Sequence, residues 1–221
     1  MKTKLIPGCV LLAALSACNP SQTSNEVAES GRASNGQQRA RGTAPAGSEG
    51  VAFAEYDQAC RNFENVGQMK AGAMAAGWHA YEPEARSHAG QLLRFSDTNV
   101  RPRLNGAQFD NWAYRKNAGG RELVLIISQI PTGPASATEC RVFDFAAVAP
   151  PTDAAIATWA GAAPSDRVAE HGLTGWEWTP GFRDGLAEQS VVYVERNSPL
   201  RQELPVVGLG ITAVHRSASP N

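Results

Sequence analysis

Most of the signals that assign a function to a chain are missing here. Cysteine is sparse, four in 221 residues, too few for a disulfide-dense miniprotein. Neither sign of charge dominates, with 20 Lys and Arg against 21 Asp and Glu, so no basic excess marks a nucleic-acid binder. No apolar run reaches the roughly 18 residues that span a bilayer as a helix. There is no Walker loop, no HExxH and no GxSxG. Gly208-Leu209-Gly210 lacks the third glycine and the following helix of a dinucleotide fingerprint. Glycines inside a strand mark a bulge or close packing instead. Among the four histidines, His79, His88, His171 and His215, no pair has zinc-ligand spacing. His79 with Glu82, and Glu170 with His171, are the only partial sets. A serine triad can be assembled only by free choice among many Ser and Asp residues. No cofactor and no metal are expected.

What is present begins at the first residues. Lys2 and Lys4 give a positive start, and Leu5 to Leu15 is apolar except for Pro7-Gly8. That is the layout of an export signal. The run ends in Leu15-Ser16-Ala17-Cys18, which resembles the lipobox of bacterial lipoproteins: a leucine, two small residues and a cysteine. The resemblance spans only the signal. It implies that residues 1–17 are removed, that the Cys18 thiol receives a diacylglycerol, and that the new amino group is acylated. One acyl chain anchors marginally, at about 0.8 kcal/mol per buried CH₂, whereas two or three anchor durably. Asn19 stands where an aspartate marks inner-membrane retention in some bacteria. Its absence points to the periplasmic face of the outer membrane.

Residues 18–50 read as the lipidated cysteine and a tether. From Asn19 to Gly50 there is almost no large apolar side chain, too little to offset the entropy of ordering. As a Gly/Ser-like coil the segment spans roughly 30 Å. Residues 51–217 read as one domain and residues 218–221 as a disordered tail. Phe53, Tyr56, Cys60 and Phe63 fall on one helical face, and Gly67 is expected to break that helix. Met69 to Ala76 reads as a second helix ending at Gly77. Pro83 suits a first helical position, followed by Ala85, His88, Ala89, Leu92 and Phe95. Asp97 to Asp110 reads as loop.

The remainder reads as antiparallel strands. Asn111 to Lys116 and Glu122 to Ile130 flank the hairpin signal Asn117-Ala118-Gly119-Gly120. Leu123 to Ile127 is apolar at every position, which predicts a central strand covered on both faces. Arg141 to Phe145 alternates. Thr152 or Asp153 is a helix cap, with Gly161 as the stop. Ser190 to Glu195 and Val206 to His215 are two more strands. The predicted fold is α+β, with N-terminal helices packed on a five- to six-stranded, mainly antiparallel sheet and one inserted short helix.

Cys9 leaves with the signal and Cys18 carries lipid, so Cys60 and Cys140 remain. Outside the cytoplasmic membrane the compartment is oxidising, and a structural disulfide is the simplest reading. Buried free thiols or a redox pair are the alternatives, though a redox pair usually has CxxC spacing.

Two segments are candidate binding surfaces. If Gly175 to Thr179 is extended, Trp176 and Trp178 share a face, with Phe182 just beyond. Such a pair stacks on sugars or a partner's apolar surface, or fills a core. Arg101 and Arg103 lie in a stretch, Arg94 to Arg121, where cations outnumber anions; from Asp144 to Glu195 the excess is acidic. A basic loop would meet anionic lipid or wall phosphates, unless these charges pair across the sheet.

The order Cys60-x-x-Phe63, Ala75-Ala76-Gly77-Trp78, Cys140-x-Val142-Phe143-Asp144 and Val191-Val192-Tyr193-Val194 resembles small exported bacterial proteins without an assigned activity. It transfers no catalytic residue. The expectation is a lipid-anchored envelope protein with a non-catalytic binding or accessory domain. Its partners are the membrane through the lipid and either another envelope protein or a cell-wall component, with no nucleic acid. The alternative is an envelope-acting hydrolase whose site assembles only in three dimensions. A deep pocket holding His, Asp or Glu favours the hydrolase. A shallow aromatic or basic patch favours binding, and a broad apolar surface favours a structural subunit.

Overall fold

The computed structural model describes residues 48–104, 109–132, 135–202 and 204–217. The stretch read as an export signal, Cys18, the stretch read as a tether up to residue 47 and residues 218–221 lie outside the described residues. Helix α1 (Ser48–Ala59) starts inside the stretch read as tether. Glu49 in its first turn favours that early start through the helix dipole, and Gly50 is already buried.

Helix α1 buries Ala52, Phe53, Tyr56 and Ala59, the three- and four-residue spacing of one helical face. It ends before Gly67, which sits instead in the first turn of α2 (Val66–Ala75). The break falls at Cys60 to Asn65, where Asn62 adopts φ 58°. There the Asn65 side chain caps α2 by accepting from Gln68 N at 3.0 Å. Pro83 starts no helix. Helix α3 (His88–Phe95) begins at the Ser87 cap, whose Oγ accepts from Gly90 N at 3.1 Å. Gly90 packs against the preceding turn so closely that a Cβ there would lie 2.1 Å from Glu84 O. A π-helical turn (Ser96–Val100) and a 3₁₀ turn (Arg101–Leu104) continue α3 through part of the stretch read as loop. Helix α4 (Asp153–Ala160) has the expected ends: Thr152 Oγ1 accepts from Ala155 N, and Gly161 adopts φ 64°.

Among the described residues, eight strands form one antiparallel sheet. They are β1 (His79–Ala80), β2 (Asp110–Ala118), β3 (Arg121–Thr132), β4 (Ala135–Asp144), β5 (Asp166–Glu170), β6 (Leu173–Trp178), β7 (Glu188–Val194) and β8 (Gly208–Ser217). Their spatial order is β1-β2-β3-β4-β8-β7-β6-β5. The chain builds one half outward-in, crosses by α4 to the far edge, returns through β6 and β7, and closes with β8 in the middle. The α+β class holds, but the strand count exceeds five or six. Strand β1 has two residues, too few to show alternation, and β5 is a mostly exposed edge.

Both faces of the sheet are covered. On the first, Leu125, Val142, Ile211, Val191 and Trp176 pair in line across β3, β4, β8, β7 and β6. They join a core with α1, α2 and α4. On the second, Val124, Ile126, Phe143 and Val192 pack with Ala89 and Leu92 of α3 and with Val206. That double cover explains the unbroken apolar run in β3. Gly208, at φ +78°, stands where a Cβ would meet Asp144 O at 2.3 Å, and Gly210 packs on the Phe143 ring. The Gly208–Gly210 pair therefore serves close packing. Cys60 and Cys140 form a disulfide between the end of α1 and β4. Charges pair across elements: Lys116 Nζ donates to Glu55 Oε2 at 2.7 Å, and Arg121 Nη2 to Asp144 Oδ1 at 2.9 Å. The second pair joins the basic stretch to the acidic one. No helix among the described residues is long and apolar enough to cross a membrane.

Candidate functional site

The two indoles are core. Trp176 is 2% exposed and Trp178 3%. Their face is the one that α1 and α4 cover, so no aromatic platform reaches solvent there. Trp176 Nε1 donates to Asp153 Oδ1 at 2.7 Å, and Trp178 Nε1 to Ala162 O at 3.2 Å. Phe182 closes the cluster, edge-on to Trp159 and Trp178 at 5.0 Å each. Arg183, ion-paired with Asp57, lies over Tyr56, Trp159 and Phe182. Burial pushes the Tyr56 hydroxyl up to about 12, against the opposing pull of Arg183.

The basic loop is not a free cationic patch at Arg101, whose Nη2 donates to Asp97 Oδ1 at 2.8 Å. Arg103 lies in the same 3₁₀ turn, and its side chain is outside the described residues. Among the described residues no three His, Cys, Asp or Glu side chains gather as a metal site. His171 and Glu170 are exposed, with Nδ1 and Oε2 3.8 Å apart.

The structure brings together a different set. Between α3 and the second face of the sheet lies a cavity of about 80 Å³. A buried water needs roughly 10–15 Å³ by the same measure, so a small ligand fits. Its walls are apolar: Leu92, Phe95, Ile130, Phe143, Val192 and Val206. Its floor is polar: Asn111, Ser128, Glu139, Arg141, Ser190 and Thr212. The strand register places these in two rows. Asn111, Ser128 and Glu139 pair in line across β2, β3 and β4. Arg141, Thr212 and Ser190 pair in line across β4, β8 and β7.

The floor is a partly satisfied network. Arg141 Nη2 donates to Ser128 Oγ at 2.6 Å, and Ser128 Oγ donates to Asn111 Oδ1 at 2.6 Å. Glu139 is 3% exposed, and burial raises its carboxyl above the usual range while Arg141 opposes that rise. Arg141 Nη2 lies 3.4 Å from its Oε2. The floor's buried atom without a hydrogen-bond partner among the described residues is Arg141 Nε, although such groups are nearly always bonded when buried. Beside it on the same face, Glu188 is pushed up to about 7, chiefly by burial and then by Glu177, with Arg216 opposing and Glu139 adding. At the start of α3, His88 stacks on Phe145 at 5.3 Å. Burial first, then Arg201 and Arg196, hold its imidazole below the ordinary value.

A second, wider groove of about 600 Å³ runs between the α1–α2 loop and the β6–β7 connection. It is lined by Asn62, Glu64, Asp184 and His215 among others, and brings no paired acid and base together.

The floor is not legible in the sequence because the alternation begins only at Arg141, which leaves Glu139 outside the predicted strand, whereas β4 begins at Ala135. In an alternating strand the polar positions default to solvent. The available signal was next door: a β3 apolar on both faces requires its neighbour's polar face to be covered too. Comparison with models of known protein families, with curated proteins and with solved structures finds no match.

Proposed function

We propose that this chain is a bacterial envelope lipoprotein, anchored through Cys18, whose domain binds a small amphipathic molecule in the cavity beneath α3. The lipobox order Leu15-Ser16-Ala17-Cys18 supports the anchor. The observation that carries the binding reading is the cavity: six apolar walls over a floor of hydrogen-bonding groups, with Arg141 Nε buried and without a partner among the described residues. Ligand pockets are built this way, mostly apolar with a few convergent polar groups.

Binding fits better than hydrolysis. The Ser128 hydroxyl donates to an amide oxygen of Asn111, which is no general base, so the serine is not activated. Acid–base hydrolysis with carboxyls uses two of them, and Glu139 is the one carboxyl among the cavity's lining residues. The hydrolase reading rests on Glu188, poised near neutrality on the same face.

The test is a chemical-shift titration of the full chain carrying Cys18→Ser with 1-hexanol, beside incubation with cell-wall fragments. Saturable shifts confined to the cavity residues, with the fragments unchanged, are expected. Fragment cleavage lost in both Glu139→Gln and Glu188→Gln would establish the hydrolase instead.

A further inference from the structure

We infer that the cavity selects an uncharged ligand, an apolar body of a few carbons ending in a hydroxyl or amide, and discriminates against carboxylates and amines. This rests on the cavity being a binding site and adds the chemistry of the head group.

The reason is the charge and hydrogen-bond inventory of the floor. It holds one cation and one anion, Arg141 and Glu139, set against each other at 3.4 Å. Arg141 Nη2 is bonded to Ser128 Oγ, while its Nε is buried without a hydrogen-bond partner among the described residues, so the guanidinium still offers a donor to a ligand's oxygen. An ammonium directed to Glu139 would arrive beside Arg141, and a carboxylate directed to Arg141 would arrive beside Glu139. In either case one buried charge ends uncompensated, which is costly in a water-poor site.

A neutral head meets no such conflict. The Glu139 carboxyl, ion-paired with Arg141 at 3.4 Å, keeps lone pairs for a hydroxyl or amide N–H of the ligand. The hydroxyls of Ser190 and Thr212 and the Asn111 amide nitrogen line the same floor and are donors for the ligand's oxygen. The apolar walls, chiefly Leu92, Phe143 and Val192, take the hydrocarbon. The cavity's volume of about 80 Å³ is roughly half the ~150 Å³ that encloses benzene, so it takes the head group and the first few carbons of a longer chain.

The experiment compares four probes of equal chain length near neutral pH: 1-hexanol, hexanamide, hexanoate and hexylammonium. Each is titrated into the full chain carrying Cys18→Ser, so that no acyl chain competes, while the resonances of Ser128, Glu139, Arg141 and Thr212 are followed. The two neutral probes are expected to bind at least about tenfold more tightly than the two ions. Glu139→Gln removes the anion and should raise hexanoate to or above 1-hexanol. Arg141→Gln removes the cation and should do the same for hexylammonium. Should either variant fail to fold, the wild-type ranking decides alone. Hexanoate or hexylammonium binding as tightly as the neutral probes to the wild type overturns the selectivity and leaves the cavity as a site. Absence of any cavity shift with all four probes overturns the binding reading itself.

Discussion

Cys140 is bonded to Cys60 on one face of the sheet while its neighbours in β4, Glu139 and Arg141, stand on the other. The disulfide therefore fixes the strand that supplies the floor's two charges to the end of α1, behind the sheet. Both sulfurs are buried, and the bridge closes a separation of 80 residues. Chain entropy for a loop of that size gives about 4.5 kcal/mol as an upper figure.

The Cys60→Ala/Cys140→Ala double variant is expected to lose about 3 kcal/mol. For a domain of this size that lowers Tm by roughly 6–12 °C. Calorimetry of the oxidised protein against the variant measures it. The same Tm in both would mean that the bond adds nothing the packing does not already supply.

Glu188 makes stability depend on pH. Its folded-state value of about 7 lies above the ordinary 4.5, so the folded protein holds this proton where the unfolded chain has released it. The stabilisation is therefore fully present below about 4.5 and is lost as pH rises through 7. Glu177 on β6 and Glu139 on β4 press in the same direction and Arg216 on β8 in the opposite one. Glu188→Gln should flatten the slope across that window and gain on the order of 1 kcal/mol above it, after allowance for solvent screening. Urea unfolding at a series of pH values reads this directly. Parallel curves for wild type and variant would contradict it.

Where local chemistry decides the structure, the sequence was readable. Thr152 and Gly161 bound α4 as their types demand, and Asn117 to Gly120 turns the β2–β3 hairpin. Leu123 to Ile127 announced a strand with two dry faces. Where a distant partner decides, it was not. The α1 break depends on Asn62 in a left-handed conformation beside a disulfide, so Gly67 was a false lead. The start of α3 depends on the Ser87 cap and on Gly90 meeting Glu84, so Pro83 was another. Trp176 and Trp178 share a face as alternation requires, but only α1 and α4 determine that the face is covered. The cavity floor was the least readable part. Its residues come from β2, β3, β4, β7 and β8, and their convergence follows from β8 inserting between β4 and β7.

Gly90 tests how tightly α3 must seat to roof the cavity. A Cβ there would meet Glu84 O at 2.1 Å and Glu84 C at 2.9 Å. Both are backbone atoms, and no side-chain rotation relieves the clash. Gly90→Ala should cost about 1–3 kcal/mol and weaken amide protection across His88–Phe95 more than in β3 or β4. Hydrogen exchange distinguishes a lifted helix from general destabilisation, because uniform loss in all elements would show that α3 is not displaced.

The anchor is tested apart from the cavity. Cys18→Ser removes the only thiol at the end of the lipobox-like run, and with it the acceptor for the diacylglycerol. The variant is expected to stay as a precursor of full length and to lose the mass of the acyl chains. A variant that still partitions with membranes and is trimmed to the wild-type mature size would refute lipidation at this residue. Neither result bears on 1-hexanol binding, because the cavity's described lining begins at Leu92, well past the tether. The two halves of the functional reading can therefore fail separately. Loss of the anchor with binding intact would leave an exported carrier domain, and loss of binding with the anchor intact would leave a tethered domain whose partner must be sought on its surface.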